Sequence, residues 1–341
     1  MSHPLLIGLA ASGYVAASYY ASSGYPSNAH QFDVRHDALQ FDEAGLDLGY
    51  QPKQGLGVLF DVIAGEDARI LHAAEDGEDG AFDVRQAYLQ YAHGALTVIA
   101  GKFVTLAGAE SINPTIDTNF SRSLLFTFAE PLDHTGVRAT YALNDRLSLI
   151  AGLDDGWNLS STSYGPKTVE AGVAWTARTN LSLAVQGYFG KDRPNDAERS
   201  LVDGVLTWRA TPALTLIANV DWDQQRDAAG PGTATATWDG VALYANYAFD
   251  PRWRVSLRGE YLDDHDGFAT GMAAGQRLRE GTATLGFKPA KPVELRLEVR
   301  RDWSGSRFFR RSDPAAATPP ARGAALAREL TEFAMQAVYT F

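Results

Sequence analysis

The sequence predicts an all-β fold, a transmembrane antiparallel up-and-down β-barrel of sixteen strands. Three observations support it: alternating segments of about ten residues, a regular switch between short and long connections, and no apolar stretch long enough for a membrane-spanning helix. The segment 332–341 shows the alternation most clearly. One face carries Phe333, Met335, Ala337, Tyr339 and Phe341, and the other carries Ala334, Gln336, Val338 and Thr340. The first face suits lipid and the second a wet interior.

The composition agrees with a large barrel and argues against several other classes. Apolar residues make up 45% of the 341, enough for a large core. The absence of cysteine excludes disulfides, a thiolate nucleophile and cysteine-bound metals. The net charge of −11 argues against nucleic-acid binding, because phosphate contacts need clustered Lys and Arg, and it predicts acidic surface loops. Because every barrel strand needs both neighbours, we expect one domain over residues 1–341.

The two ends of the chain fit an exported barrel. Residues 1–4 carry no Lys or Arg, and the apolar run 5–9 is too short for a secretory core segment, so we expect a mature or trimmed start. The final Phe341 is similar to the C-terminal signal of Gram-negative outer-membrane barrels.

The connections set the predicted topology. Seven tight ones contain turn-forming residues, at 51–54, 93–94, 144–146, 178–180, 210–212, 250–252 and 288–292. Eight longer polar ones lie near 20–38, 67–81, 108–133, 155–166, 191–198, 226–236, 263–276 and 304–327. Together they join sixteen strands and place both termini on the short-turn rim, which is periplasmic in such barrels.

Three strands show the two faces by inspection. Leu181, Leu183 and Val185 alternate with Ser182, Ala184 and Gln186; Trp253, Val255, Leu257 and Tyr261 with Arg254, Ser256, Arg258 and Glu260; and Val293, Leu295, Leu297 and Val299 with Glu294, Arg296, Glu298 and Arg300. The charged rows imply a hydrated lumen, because Arg or Lys on the lipid face costs about 2–4 kcal/mol near the midplane. A soluble β-sandwich with its polar rows outward is the alternative.

Aromatic residues mostly fall near predicted strand ends, where membrane-interface girdles sit. They are Trp157, Trp175, Tyr188, Trp208, Trp222, Trp238, Tyr247, Trp253 and Tyr339. A sandwich would place its Trp residues at mid-strand core positions. We therefore expect these side chains to form a girdle at the membrane surface.

Several motifs resemble the OmpL-like beta-barrel porin-2 family. They are Gly101-Lys102-Phe103, Gly108-Ala109-Glu110, the run from Asn119 to Phe126, His134-Thr135-Gly136 and Asp155-Gly156-Trp157, with Ser12 to Val15, Ser18 to Tyr20 and Asp83 to Leu89 upstream. The likeness is clearest over residues 12–175. It implies an outer-membrane barrel that allows passive uptake, with no catalytic residues.

The segment 108–133 is the longest connection in the first half and mixes charged with apolar residues. Its charged members include Glu110, Asp117, Arg122 and Glu130. We predict that it folds inward and narrows the lumen, since loops of this length are usually functional. This resembles the constriction loop of general porins. The alternative is an extracellular cap packed on itself.

The predicted loop carboxylates would face a basic lumenal wall. Strand parity gives the candidates Arg85, Arg138, Arg258, Arg296 and Arg300. Opposed charges would create a transverse field that discriminates solutes by charge. The alternative, compatible with the first, is a set of salt bridges that brace the barrel.

Three other segments suggest alternatives that we disfavour. The acidic run Glu75–Gly80 lacks the spacing of a known cation loop, so we predict a solvated loop and no metal site. His265 could act as a base in a barrel enzyme, but no nucleophile or metal motif accompanies it, so we predict no catalytic residue and no cofactor. The low-complexity segment 314–321 could dock a surface component, which would make the barrel a plugged scaffold.

We expect the protein to lie in the Gram-negative outer membrane. Its expected partners are membrane lipid, lipopolysaccharide and small hydrophilic solutes, with no nucleic acid. Fold analogy suggests a homotrimer. The solute and the charge preference stay open.

Overall fold

The computed structural model describes residues 8–23, 28–76, 80–159, 167–192, 197–229, 234–310 and 326–341. Within these ranges, the side chains of 74–76 and 192 are not described. The acidic side chains of the run 75–80 and the whole of 314–321 therefore lie outside the described residues. No helix among the described residues is long and apolar enough to cross a membrane.

Sixteen of the described strands form one closed antiparallel barrel, as predicted. They are β1 (Ala10–Ser22), β2 (Ala38–Tyr50), β3 (Gly55–Gly65), β4 (Phe82–His93), β5 (Leu96–Val104), β6 (Asp133–Asn144), β7 (Leu147–Asp154), β8 (Thr168–Arg178), β9 (Leu181–Asp192), β10 (Ala197–Arg209), β11 (Leu214–Gln225), β12 (Ala236–Ala248), β13 (Trp253–Asp264), β14 (Gln276–Ala290), β15 (Val293–Ser304) and β18 (Glu329–Thr340). The short strands β16 (Phe309–Arg310) and β17 (Leu326–Ala327) form a separate sheet. The helices are α1 (Glu66–Asp76) and α2 (Leu124–Phe128).

The barrel closes where β1 pairs with β18. Val15 lies opposite Tyr339, and the backbones of Gly13 and Phe341 exchange two hydrogen bonds of 2.9 Å. The Phe341 ring lies against Gly13, where a Cβ atom would come within 2.5 Å of it. Because lipid offers no partner for backbone N–H and C=O groups, this seam removes the last free edge of the sheet.

The exposure of alternate residues confirms which face of each strand was predicted to meet lipid and which the lumen. On β15, Leu297 is 53% exposed on the outer face, whereas Arg296 beside it is 2% exposed on the inner face. Leu257 and Arg258 on β13 differ in the same way. A soluble sandwich would bury the apolar row, so the arrangement excludes that alternative.

The connections alternate between short and long, as predicted. The connection after β3 is more ordered than the predicted polar loop, because it contains α1. Ala68 and Leu71 of this helix pack in a buried cluster with Phe32 and Ile63. Apolar residues three apart within a polar segment were the available signal for a helix.

The predicted aromatic girdle is wrong for three of its nine members. The outer surface carries the exposed side chains of Trp175, Trp208, Trp222, Tyr247, Trp253 and Tyr339. Trp157, Tyr188 and Trp238 are instead buried, with Trp157 packed on Tyr188 and Trp238 on Phe268. Nearness to a strand end tells how close a side chain lies to the membrane surface. Whether it points outward depends on its place in the alternation of inward and outward residues along the strand.

Replacing Gly13 with alanine should destabilise the barrel by about 1–3 kcal/mol, because the methyl group would press on the Phe341 ring and the Gly45 carbonyl oxygen. The measurement is the free energy of unfolding in urea, followed by Trp fluorescence. The matched control is Gly204→Ala on β10, whose Cβ would meet no heavy atom within 4 Å. Equal losses in the two variants would contradict this account of the seam.

Candidate functional site

The connection between β5 and β6, residues 105–132, is called the inward loop, because it packs against the inner wall of the barrel. Its end differs by one residue from the predicted range, since Asp133 already belongs to β6. Five apolar side chains of this loop are buried: Ile112, Phe120, Leu124, Leu125 and Phe126. A loop with these groups facing solvent would be unstable, so burial inside the barrel explains its composition.

The helix α2 anchors one end of the inward loop. Ser123 caps it, with its Oγ atom accepting a hydrogen bond of 2.9 Å from the backbone N–H of Phe126. Leu124 and Leu125 pack in a buried cluster that includes Trp238 of β12. The loop therefore packs on the wall, which differs from a cap that packs on itself.

Three of the predicted wall arginines hold the inward loop by its carbonyl oxygens. The bonds run from Arg258 Nη1 to Ser121 O (2.7 Å), from Arg296 Nη2 to Asp117 O (2.8 Å) and from Arg300 Nη1 to Arg122 O (2.6 Å). All three arginines are buried on β13 and β15. Charge-assisted hydrogen bonds of this kind are about twice as strong as neutral ones.

Two wall carboxylates that the sequence analysis placed on the lumenal face, but did not propose as site residues, bind the same loop. Glu298 accepts hydrogen bonds from the backbone N–H groups of Phe120 (2.6 Å) and Ser121 (3.0 Å). Glu260 accepts one from Leu124 (2.8 Å). Both acids share the inward face of their strands with the arginines, so the alternation along each strand already predicts that they face the lumen.

The other two predicted arginines pair with carboxylates of the wall. Arg85 Nε lies 2.7 Å from Asp61 Oδ2, and Arg138 Nε lies 2.7 Å from Glu170 Oε2. These residues lie on β3, β4, β6 and β8. Their arrangement matches the alternative of salt bridges that brace the barrel.

The charged groups of the inward loop are largely occupied by its own anchoring. Glu110 Oε1 accepts a hydrogen bond of 2.7 Å from Arg258, and Arg122 Nε lies 3.0 Å from Asp117 Oδ2. Burial raises the pKa of Asp117 to about 7, although the charge of Arg122 acts in the opposite direction. These charges are paired at close range. The predicted arrangement was different, with loop carboxylates facing wall arginines across an open lumen.

Glu130 lies away from the arginines that the sequence analysis expected it to face. Its carboxylate is surrounded by Asp203 of β10 and Asp221 of β11. It also lies against Gly108, where a Cβ atom would come within 1.9 Å of a carboxylate oxygen. Gly108 and Glu130, near the two ends of the inward loop, therefore lie next to each other.

The water-exposed part of the inward loop is uncharged. Ile116 is 66% exposed, and Asn113, Thr115 and Thr118 are partly exposed. In the strand order, β6 and β7 lie across the barrel from β14 and β15, and β8 to β10 continue this wall. Its inner face has small, partly exposed side chains, among them Thr140, Ser148, Ala174, Ser182, Ala184 and Thr207. Small side chains leave room for water between this wall and the loop.

His265 does not resemble a catalytic base. Its Nε2 atom lies 2.8 Å from Asp239 and its Nδ1 atom 3.6 Å from Asp263, at an exposed strand end. The hydrogen bond with Asp239 raises the pKa of His265. A ring held between two carboxylates is suited to a surface ion pair, and a general base needs the neutral ring.

Comparisons with known proteins agree on the fold. A family model described as beta-barrel porin-2, OmpL-like matches residues 8–341. The solved structure of OmpT from Vibrio cholerae has a TM-score of 0.67 at 12% identity, covering 98% of this chain and 97% of that chain. The channel DcaP of Acinetobacter baumannii gives 0.66 at 14%, covering 98% and 97%. An anion-selective porin from Comamonas acidovorans gives 0.65 at 11%, covering 98% and 99%. No curated protein matches the chain significantly.

Replacing Arg300 with glutamine should destabilise the barrel by about 3–5 kcal/mol, because it leaves Asp302 and the Arg122 carbonyl oxygen buried without this donor. The matched control is Arg301→Gln on the opposite face of the same strand. Arg301 pairs with Glu329 in an exposed ion pair, which is worth about 0–1 kcal/mol. Urea unfolding measures both changes, and similar values would refute the assigned anchoring.

Proposed function

The chain belongs to the OmpL-like beta-barrel porin-2 family, and from this premise we propose that small hydrophilic solutes or ions diffuse through its lumen past the inward loop. The barrel lies in the bacterial outer membrane, with its apolar face toward lipid. The proposed passage runs between the loop residues Asn113, Thr115, Ile116 and Thr118 and the small-residue wall of β6 to β10. The observation that carries the proposal is the water-exposed, uncharged surface on both sides of this passage.

The proposed passage discriminates mainly by size. The side chains of Glu110, Asp117 and Arg122 are buried in contacts that fix the loop, so their charges act on a solute only through the surrounding protein. Thr, Ser and Asn side chains can replace part of the water around a polar solute by hydrogen bonding. The predicted charge selection is therefore weaker in this proposal than the sequence analysis expected.

We also propose that the barrels associate as homotrimers in the membrane, surrounded by lipid and lipopolysaccharide. The structural neighbour OmpT of Vibrio cholerae has a trimer form. Native mass spectrometry of the detergent-extracted protein distinguishes trimers from monomers. A purely monomeric preparation from the native membrane would refute this part of the proposal.

Replacing residues 111–129 with Gly-Ser-Gly should enlarge single-channel conductance in a planar bilayer, because the loop is removed from the lumen. The contact between Gly108 and Glu130 shows that a short linker can join the two ends. A salt gradient gives the reversal potential and hence the charge preference. Folded protein without conductance steps, before and after the replacement, would favour the plugged scaffold.

A matched pair of substitutions locates the passage in the same bilayer assay. Ala184→Trp places a large ring on the inner face of β9 and should reduce the conductance. Val185→Trp places the same ring on the lipid face of that strand and should leave it unchanged. Equal effects would show that the proposed wall does not line the passage.

A further inference from the structure

Four carboxylates meet at the end of the inward loop, and we call them the acidic cluster: Glu130, Asp203, Asp221 and Asp223. Asp203 on β10 lies directly opposite Asp221 on β11, on the inner face of the barrel. Carboxylate oxygens of Glu130, Asp203 and Asp221 all lie within 4.8 Å of one another. Glu130 is 8% exposed, Asp221 is 1% and Asp223 is fully buried.

Several oxygens of the acidic cluster lack a hydrogen-bond donor among the described residues. Both oxygens of Glu130 and both of Asp223 are buried without one, as is one oxygen each of Asp203 and Asp221. Asn219 Nδ2 donates to Asp203 (2.6 Å) and Asp221 (3.3 Å) from the other side. A buried carboxylate without a partner is strongly unfavourable, so these oxygens point to a missing positive group.

One cationic side chain, that of Arg199, lies near the acidic cluster. Arg199 lies over the rings of Trp157 (4.3 Å) and Trp238 (5.2 Å), and its charge acts on Asp223. Burial raises the pKa of Glu130 well above its usual value, and Asp203 raises it further. The arginines of β13 and β15 are occupied by the loop and by their own carboxylates.

We propose that the acidic cluster binds one Ca²⁺ ion, which joins the end of the inward loop to β10 and β11. The donors are oxygens, which hard divalent cations prefer. Oxygens on opposite sides of a Ca²⁺ ion stand about 4.6–5.2 Å apart, which suits the spacing of the cluster. Mg²⁺ usually keeps several waters, whereas the carboxylates of the cluster are buried, which favours Ca²⁺.

The backbone is shaped to admit the carboxylate of Glu130. Gly108 has a φ of +86°, and any Cβ atom there would collide with a Glu130 oxygen. The absence of a side chain at Gly108 therefore leaves space for the Glu130 carboxylate in the acidic cluster. The proposed ion would add an anchor on β10 and β11 to the one that the arginines provide on β13 and β15.

Equilibrium dialysis with ⁴⁵Ca²⁺ on folded, EDTA-treated protein in detergent tests the proposal. We expect one ion per chain, with affinity lowered about 10-fold or more in Glu130→Gln and in Asp221→Asn, since even an outer-shell change commonly costs that much. Asp61→Asn, a buried acid paired with Arg85, is the control and should bind as the parent does. Saturable binding that survives both cluster substitutions would place the ion elsewhere and overturn the proposal.

Tb³⁺ luminescence gives a second readout. Trp238 lies opposite Asp223 across the strand pair, so excitation of tryptophan should sensitise a bound Tb³⁺ ion. Ca²⁺ should displace this signal, and Trp238→Phe should reduce it while leaving ⁴⁵Ca²⁺ binding intact. A signal that Ca²⁺ does not displace would overturn the proposal.

Urea unfolding of the metal-free proteins distinguishes a variant that has lost an ion ligand from one that is misfolded. Glu130→Gln leaves the metal-free acidic cluster with one acid fewer to bury, so the metal-free variant should unfold at a urea concentration no lower than that of the metal-free parent. A parent that binds no Ca²⁺ would mean that shared protons hold the acidic cluster together, and the proposal would fail. These measurements need no conducting pore, so their outcome is independent of the proposed function.

Discussion

The structure depends on one constraint: in lipid, every backbone N–H and C=O group must find its partner within the protein. Sixteen strands meet it by closing β1 on β18, and closure fixes the pleat around the whole ring. Once the pleat is fixed, alternate side chains must face lipid or lumen. The apolar row of β15 and the charged row beside it are consequences of this geometry, as is an interior able to hold a loop.

The interior is stabilised by charge pairing. A guanidinium group removed from water is costly unless its donors are satisfied, and the carbonyl oxygens of the inward loop satisfy those of Arg258, Arg296 and Arg300. The loop gains in return, since Glu298 and Glu260 accept N–H groups that would otherwise be buried unpaired. Each partner makes the burial of the other tolerable, and the loop and wall are therefore fixed as one unit.

The sequence allowed the fold to be predicted well, because turns and alternation are local signals. The strand count and the inward face of Arg258 followed from them. The partners of that arginine did not, because Glu110 lies 148 residues away and no local pattern records such a contact. Glu130 shows the limit most clearly: its charge suggested a basic partner, whereas the register of β10 on β11 places two aspartates beside it. Trp238 was misplaced because its position along the strand was weighed above its parity.

The inward loop precedes, in the chain, the strands that hold it. Phe120 and Glu298 are separated by 178 positions, and Pro114 and Arg296 by 182. Until β13 and β15 stand in the sheet, the loop carbonyls have no guanidinium donors. The loop can therefore take its final place only once those two strands are in the sheet. A barrel that lacks them would have an undocked loop and a wide lumen, and arginines placed in a sheet without the loop would face water.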